Sequence, residues 1–249
     1  MVQVAQTEDE SQPRPPDRPK KARKPKNWRD NAATPTPYNP LDLVNLGRSV
    51  ERELLQRDRE PLGSVALMTG AGVYALYYTG DNPLYQTIRG TEKPIYVGQA
   101  RPEGTRKGNV DASKIGCPLW DRLHEHRESI DQVESLDVAD FAVRYLVAIE
   151  VFVALAEGVM INDSRPAWNT VVDGFGNHDP GAARRKDGRR PPWDELHPGR
   201  WWSHPLHMPT ASLIPAESSR QRIIDHFAGK TVPELSTDGI EVESAEHGD

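Results

Sequence analysis

Gly72-Val73-Tyr74-Ala75-Leu76-Tyr77-Tyr78 and Pro94-Ile95-Tyr96-Val97-Gly98 decide how this chain folds. β-branched and aromatic residues dominate both stretches, and the connection between them is rich in Gly, Asp, Asn and Pro. They therefore predict an antiparallel hairpin with a long loop. Each stretch sets a glycine and a tyrosine about a valine: Gly72-Val73-Tyr74 in the first, Tyr96-Val97-Gly98 in the second. Either tripeptide alone arises often by chance. Their weight comes from the polar residues downstream of them, in order: Arg122 and His126 at helical spacing, then Glu157 and Asn169.

Leu119 to Ile130 reads as the best helix of the central chain. At about 100° per residue, Leu119, Leu123 and Ile130 share a face, with His126 in its middle and Arg122 at its edge. Asp121, His124, Glu125 and Glu128 fall on the far side, so only one of two nearby histidines points inward. Phe141 to Ile149 reads as the next strand and Val153 to Asn162 as the next helix, with an apolar stripe of Val153, Ala156, Met160 and Ile161 that includes Glu157. An ionised carboxylate on such a stripe is costly unless a cation or metal offsets it. Ala167 to Val172 reads as a further strand carrying Asn169, ended by Asp173-Gly174 and the turn-rich Gly176 to Gly181. Upstream, Leu43, Leu46, Val50 and Leu54 recur near helical period around Gly47, predicting one or two short helices before a turn at Pro61-Leu62-Gly63.

The net charge of −6 argues against a nucleic-acid partner until its distribution is read. Acid collects at the end, in Glu234, Asp238, Glu241, Glu243, Glu246 and Asp249. Base collects in a proline-rich leader from Arg14 to Arg29, and again from Arg184 to Arg200. The leader, residues 1–37, is expected to be a disordered basic arm, because it has too little apolar surface to order alone. Residues 216–249 are expected to form an acidic tail.

Other classes are poorly matched. The single cysteine, Cys117, excludes an internal disulfide and suits a reducing cytoplasm. Tyr145 to Ile161 is too short and too charged to span a membrane, and the N-terminus lacks the apolar run of a signal peptide, so a soluble cytoplasmic protein is expected. Cys117, His204 and His207 do not form a zinc set, and Gly174 to Gly181 lacks the Lys-Ser/Thr ending of a phosphate-cradling loop.

Taken singly, the polar residues have plainer roles: Tyr74 and Tyr96 as strand fillers, His126 as a hydrogen-bonded core histidine, Arg122 and Glu157 as an ion pair. Taken in order, Tyr74, Tyr96, Arg122, His126, Glu157 and Asn169 resemble the active site of the GIY-YIG nucleases. Trp168 to Gly181 and Trp193-Asp194-Glu195-Leu196-His197-Pro198-Gly199-Arg200 extend the likeness to the GIY-YIG type II restriction endonucleases that cut CCGCGG, over residues 62 to 203. The resemblance implies an α/β (α+β) fold, a small antiparallel sheet flanked by helices, in a nuclease domain over residues 38–215. It also implies a type II restriction endonuclease that hydrolyses double-stranded DNA at a short palindromic G·C-rich site. Such an enzyme would act as a homodimer beside a cognate DNA methyltransferase in the same system, with no membrane partner.

By the same resemblance, Tyr74 deprotonates the attacking water with His126 as relay, Arg122 grips the phosphate, and Glu157 holds one Mg2+. Tyr96 then places water or phosphate, and Asn169 supports the metal and phosphate region. Val73 and Val97 replace the isoleucines of the family name, a harmless exchange between β-branched residues. Gln99 stands where relatives often carry a basic residue, which leaves Arg122 as the main cation. Candidate DNA contacts are Arg101, Arg106, Lys107 and Lys114 after the second motif, with Arg184, Arg185, Arg189, Arg190 and Arg200, and then Asn177 and His178. The alternatives are a homing or repair endonuclease of the same fold, or a non-catalytic DNA-binding protein that keeps it.

Overall fold

The computed structural model describes residues 38–102, 116–235 and 241–242. The basic arm of residues 1–37 and the loop residues Arg106, Lys107 and Lys114 lie outside them. A four-stranded sheet organises the rest, in the order β1-β4-β2-β3, with every neighbouring pair antiparallel: β1 (Glu60–Pro61), β2 (Gly72–Tyr78), β3 (Tyr96–Ala100) and β4 (Phe141–Val147). The β2–β3 pair is the hairpin that the two tyrosine-glycine stretches predict.

β2 lies inside the sheet and is buried along its whole length, which is why it reads as an unbroken apolar run rather than an alternating one. Its side chains still alternate. Tyr74, Leu76 and Tyr78 enter the larger core, with α2 (Pro118–Asp131), Trp168, Phe175 and Trp193. Val73, Ala75 and Tyr77 enter the smaller one, with Leu54 of α1 (Leu43–Leu55) and with Ala156 and Met160 of α3 (Glu150–Ser164). The α+β architecture is a sheet between two helical layers, as the sequence predicts.

Two elements depart from the sequence reading. Ala167 to Val172 is not a strand; Ala167–Thr170 forms one helical turn, α4. Pro166 sets its start and accepts from the Thr170 hydroxyl (2.9 Å), so the backbone curls where periodicity suggests extension. The pairing to β3 that a strand would make is made otherwise: Trp168 N–H donates to Ile95 O (3.0 Å), and the Asn169 amide brackets Val97.

The folded unit also continues past residue 215. After α5 (Ala182–Asp187) and α6 (Pro192–Leu196), α7 (Ala216–Phe227) sinks Ile223 into the larger core and directs Arg222 Nε to Val171 O (3.2 Å). Average acidity over residues 216–249 conceals this amphipathic helix, since the acid is concentrated from Glu234 onward. Among the described residues no helix is long and apolar enough to cross a membrane.

α1 is a single helix whose Gly47 rests directly on α3. A Cβ there would stand 2.8 Å from Leu155 O and 2.7 Å from a Val159 methyl. Alanine ordinarily stabilises a helix interior by about 1 kcal/mol relative to glycine. Gly47→Ala is expected to do the reverse, because a backbone carbonyl cannot swing aside: urea unfolding should show a lower midpoint than wild type. A raised midpoint would mean that the α1–α3 contact is loose.

Candidate active site

The larger core ends in a polar corner where β2, β3 and α2 meet. The β2–β3 register pairs Tyr74 with Gly98, and the Tyr74 ring lies across that glycine, where any Cβ would collide with its hydroxyl and ring. Glycine is therefore required in the second tripeptide so that the tyrosine of the first can reach the sheet edge. There the Tyr74 hydroxyl meets His126 Nε2 at 2.6 Å. His126 is buried, as helical geometry predicts, and its ring stacks on Phe175 with centroids 4.5 Å apart. Tyr96 closes the group, in edge contact with His126 at 5.2 Å and with its ring centre 6.3 Å from that of Tyr74.

Burial sets the protonation of this pair. It holds the Tyr74 phenol well above its usual range, with Tyr96 adding to the effect. It holds the His126 imidazole well below its usual range, and the Arg122 charge acts in the same direction. The pair is thus neutral phenol and neutral imidazole, with Nε2 able to accept the phenolic proton. Tyr74 has no exposed surface and Tyr96 keeps 8 %, so of the two tyrosines Tyr96 is the nearer to solvent.

Arg122 borders the same corner. One terminal nitrogen donates to Gly176 O; the other meets Glu125 Oε2 (2.8 Å) and His178 Nε2 (2.7 Å). Glu125 does not stay on the far side of α2, as its helical angle suggests, because residues three apart are neighbours on a helix surface and its carboxylate folds back.

Glu157 sits at the margin of its helix's apolar stripe, half-buried. Burial raises its pKa, opposed by Arg101 and by a hydrogen bond from Gln99. Arg101 Nε donates to Gln99 Oε1 (2.8 Å). Among the described residues no three His, Cys, Asp or Glu groups cluster as a metal cage. A single half-buried carboxylate suits a divalent cation that takes its remaining oxygens from water and phosphate.

Asn169 is placed otherwise than expected. Its Oδ1 accepts from Val97 N–H and its Nδ2 donates to Val97 O, both at 2.8 Å, so it fixes β3 between the second tyrosine and Gly98 and does not face the cleft. Arg200 is likewise no surface base reader. It is buried between Trp193 and Trp202, 4.7 and 4.6 Å from their ring centres, and forks onto Asp194. Its remaining donors reach Gly174 O (2.9 Å), Phe175 O (3.2 Å) and Asn177 O (3.3 Å). Arg190 is also turned inward, to Glu195 (3.0 Å) and Met208 O (2.8 Å). The reason is common to both: loop carbonyls and a buried carboxylate need donors, and arginine has five.

Of the other basic candidates, Arg184 and Arg189 are exposed, and Arg189 holds Ala211 O (2.7 Å). Arg185 lies over Trp201 at 4.7 Å and pairs with Asp179 (3.3 Å). Behind the site, Tyr85 OH meets His197 Nε2 at 2.6 Å, His197 Nδ1 meets Ser135 Oγ at 2.7 Å, and Trp168 donates to the same phenol (3.0 Å). Phe175, Trp168 and His197 fall within the stretches that carry the likeness, whereas Glu125, Tyr85 and Ser135 carry no sequence signal, because nothing in their spacing distinguishes them from ordinary core and surface residues.

The family model described as the Eco29kI GIY-YIG domain matches residues 66–227, and the chain belongs to this family of restriction endonucleases. A comparison with curated proteins finds no match. The matched span ends at Phe227, where α7 ends.

Acid should unfold this site. Burial lowers the His197 pKa to about 3, and His126 is depressed as well. The unfolded chain therefore binds more protons than the folded one below about pH 6.5, and stability is complete above that pH and falls as pH drops towards 3. From pH 7 to 5, His197 alone should cost about 2 kcal/mol. Urea unfolding at both values checks this, and a His197→Gln variant should show a shallower dependence; an unchanged slope would contradict the assignment.

Proposed function

We propose that the protein is a type II restriction endonuclease that hydrolyses double-stranded DNA at a short palindromic G·C-rich site, CCGCGG by its resemblance, with Mg2+ as cofactor. The observation that carries this reading is the Tyr74–His126 hydrogen bond beside Arg122. Phosphodiester hydrolysis needs a deprotonated water and a cation on the phosphate, and these three residues supply both.

A phenol held above its usual range does not ionise beforehand. The transfer is therefore concerted: a water between the Tyr74 and Tyr96 hydroxyls passes its proton to Tyr74 as Tyr74 passes its own to Nε2 of neutral His126. Arg122 holds the scissile phosphate through its planar fork. Glu157 anchors the divalent cation, which when bound neutralises charge on the phosphate oxygens. Asn169 acts indirectly, by fixing β3. Such a site is not the mark of a non-catalytic relative, since every reacting group is present.

A palindrome sets two identical strands in two-fold relation, so two copies of the chain act together on DNA. The bases are read by exposed donors, among them Arg184, Arg189 and Arg101 with Asn177, since arginine pairs in bidentate fashion with guanine in the major groove. Arg200 and Arg190 are committed to the fold. A cognate methyltransferase, in the same cytoplasmic compartment, protects the host's own sites.

Incubation with plasmid and Mg2+, followed by sequencing of the fragment ends, tests the reading. Tyr74→Phe should slow single-turnover cleavage by roughly 10²–10⁴-fold. Glu157→Gln, or chelator with wild type, should abolish cleavage while duplex binding persists. Cleavage of either variant at the wild-type rate would overturn the corresponding role.

A further inference from the structure

Two cavities meet at Arg122. One, of about 520 Å3, opens past Gln99, Arg101 and Asp121; the other, of about 150 Å3, reaches His126, Phe175 and Trp201. The wall common to both is Arg122, Glu125 and His178. The hydrolytic chemistry uses Arg122 and leaves the other two without a part.

One Arg122 nitrogen lies against both ring nitrogens of His178, 2.7 Å from Nε2 and 3.2 Å from Nδ1. An arginine N–H can only donate, so His178 Nε2 accepts from Arg122 (2.7 Å). Glu125 Oε2 lies 3.2 Å from Nδ1, a charge pair when the ring is protonated. A carboxylate beside an imidazole favours its protonated form, and here Nε2 is the ring nitrogen nearer the phosphate-gripping guanidinium.

We propose that His178, oriented by Glu125, is the general acid that protonates the O3′ leaving group of the scissile phosphodiester. The inference rests on the nuclease reading of the site. It divides the labour between two histidines by environment: His126 is buried and takes the proton of the attacking water, whereas the His178 side chain is 62 % exposed and can be recharged from solvent. With a phosphate seated on Arg122, Nε2 faces phosphate oxygens in place of the guanidinium.

The step balances. The water oxygen bonds to phosphorus as the P–O3′ bond breaks, and that bond's electron pair stays on O3′. O3′ takes the Nε2 proton of doubly protonated His178, and the water's proton passes through Tyr74 to His126.

The groups that face His178 set its charge. Burial, Arg122 and Arg200 lower its pKa and Glu125 raises it; the carboxylate of the adjacent Asp179 is engaged by Arg185 and by Gly181 N–H. A phosphate on Arg122 offsets the larger of the opposing cations, so substrate itself favours the imidazolium.

Single-turnover cleavage of two duplexes, alike except for sulfur in place of the bridging O3′ at the cut, tests the proposal. A thiolate leaves without a proton. His178→Ala and His178→Gln should each slow the oxygen duplex by roughly 10²–10⁴-fold and the sulfur duplex by no more than about threefold. Tyr74→Phe should slow both. Equal losses on the two duplexes, which is the outcome for a DNA contact or a purely structural residue, would overturn the proposal, as would full activity of either variant. Wild type inert on both duplexes would instead overturn the nuclease reading, and this proposal with it. Glu125→Gln supplies a second readout: without the carboxylate the imidazolium is less stable, so the alkaline limb of the pH–rate profile should move to lower pH. An unmoved limb contradicts the assignment.

Discussion

The site depends on one buried fork. Arg200 lies between two tryptophans, pairs with Asp194 and ties down the carbonyls of Gly174, Phe175 and Asn177. That turn presents Gly176 O to Arg122 and the Phe175 ring to His126. A guanidinium taken from water is tolerable only when its donors are all met, and here a carboxylate and backbone oxygens meet them. Lysine, with a point charge and no fork, cannot do the same. The places of Arg122 and His126, the proposed phosphate clamp and proton relay, are thus set from a distance by a residue that touches neither side chain.

The second constraint is the absence of a side chain at Gly98. Only bare backbone there lets Tyr74 cross its neighbouring strand and meet His126 at the sheet edge. Burial then does the electrostatic work. The same desolvation that keeps Tyr74 protonated keeps His126 neutral, so donor and acceptor face each other in matched states. Fixed partners in a dry corner need little reorganisation when charge moves, which is where an active site gains most over water.

The architecture is legible in the sequence because the two tyrosine-glycine stretches are strand-like and precede a helix whose inward face carries a histidine. α2 and the burial of His126 follow from periodicity alone. α4 does not, since Asn169 makes with its side chain the pairing a strand makes with its backbone, and no periodicity encodes that exchange. Arg200 and Arg190 mislead in the opposite sense. Arginine in a basic run reads as surface, yet an acid six residues before Arg200, at Asp194, and one five residues after Arg190, at Glu195, turn both inward. Glu125 is hidden by the helical wheel, which places Cα atoms and not the reach of a long side chain.

The central claim is that this distant fork preassembles the cutting site. Single-turnover cleavage by Arg200→Lys, measured with excess enzyme well below the melting temperatures of both proteins and beside metal-free duplex binding, tests it most directly. The account predicts a rate lower by about a hundredfold, the scale of loss that small misplacements of reacting groups produce, with duplex affinity nearly unchanged. Cleavage at the wild-type rate would show that Arg122 and His126 hold their places without the fork.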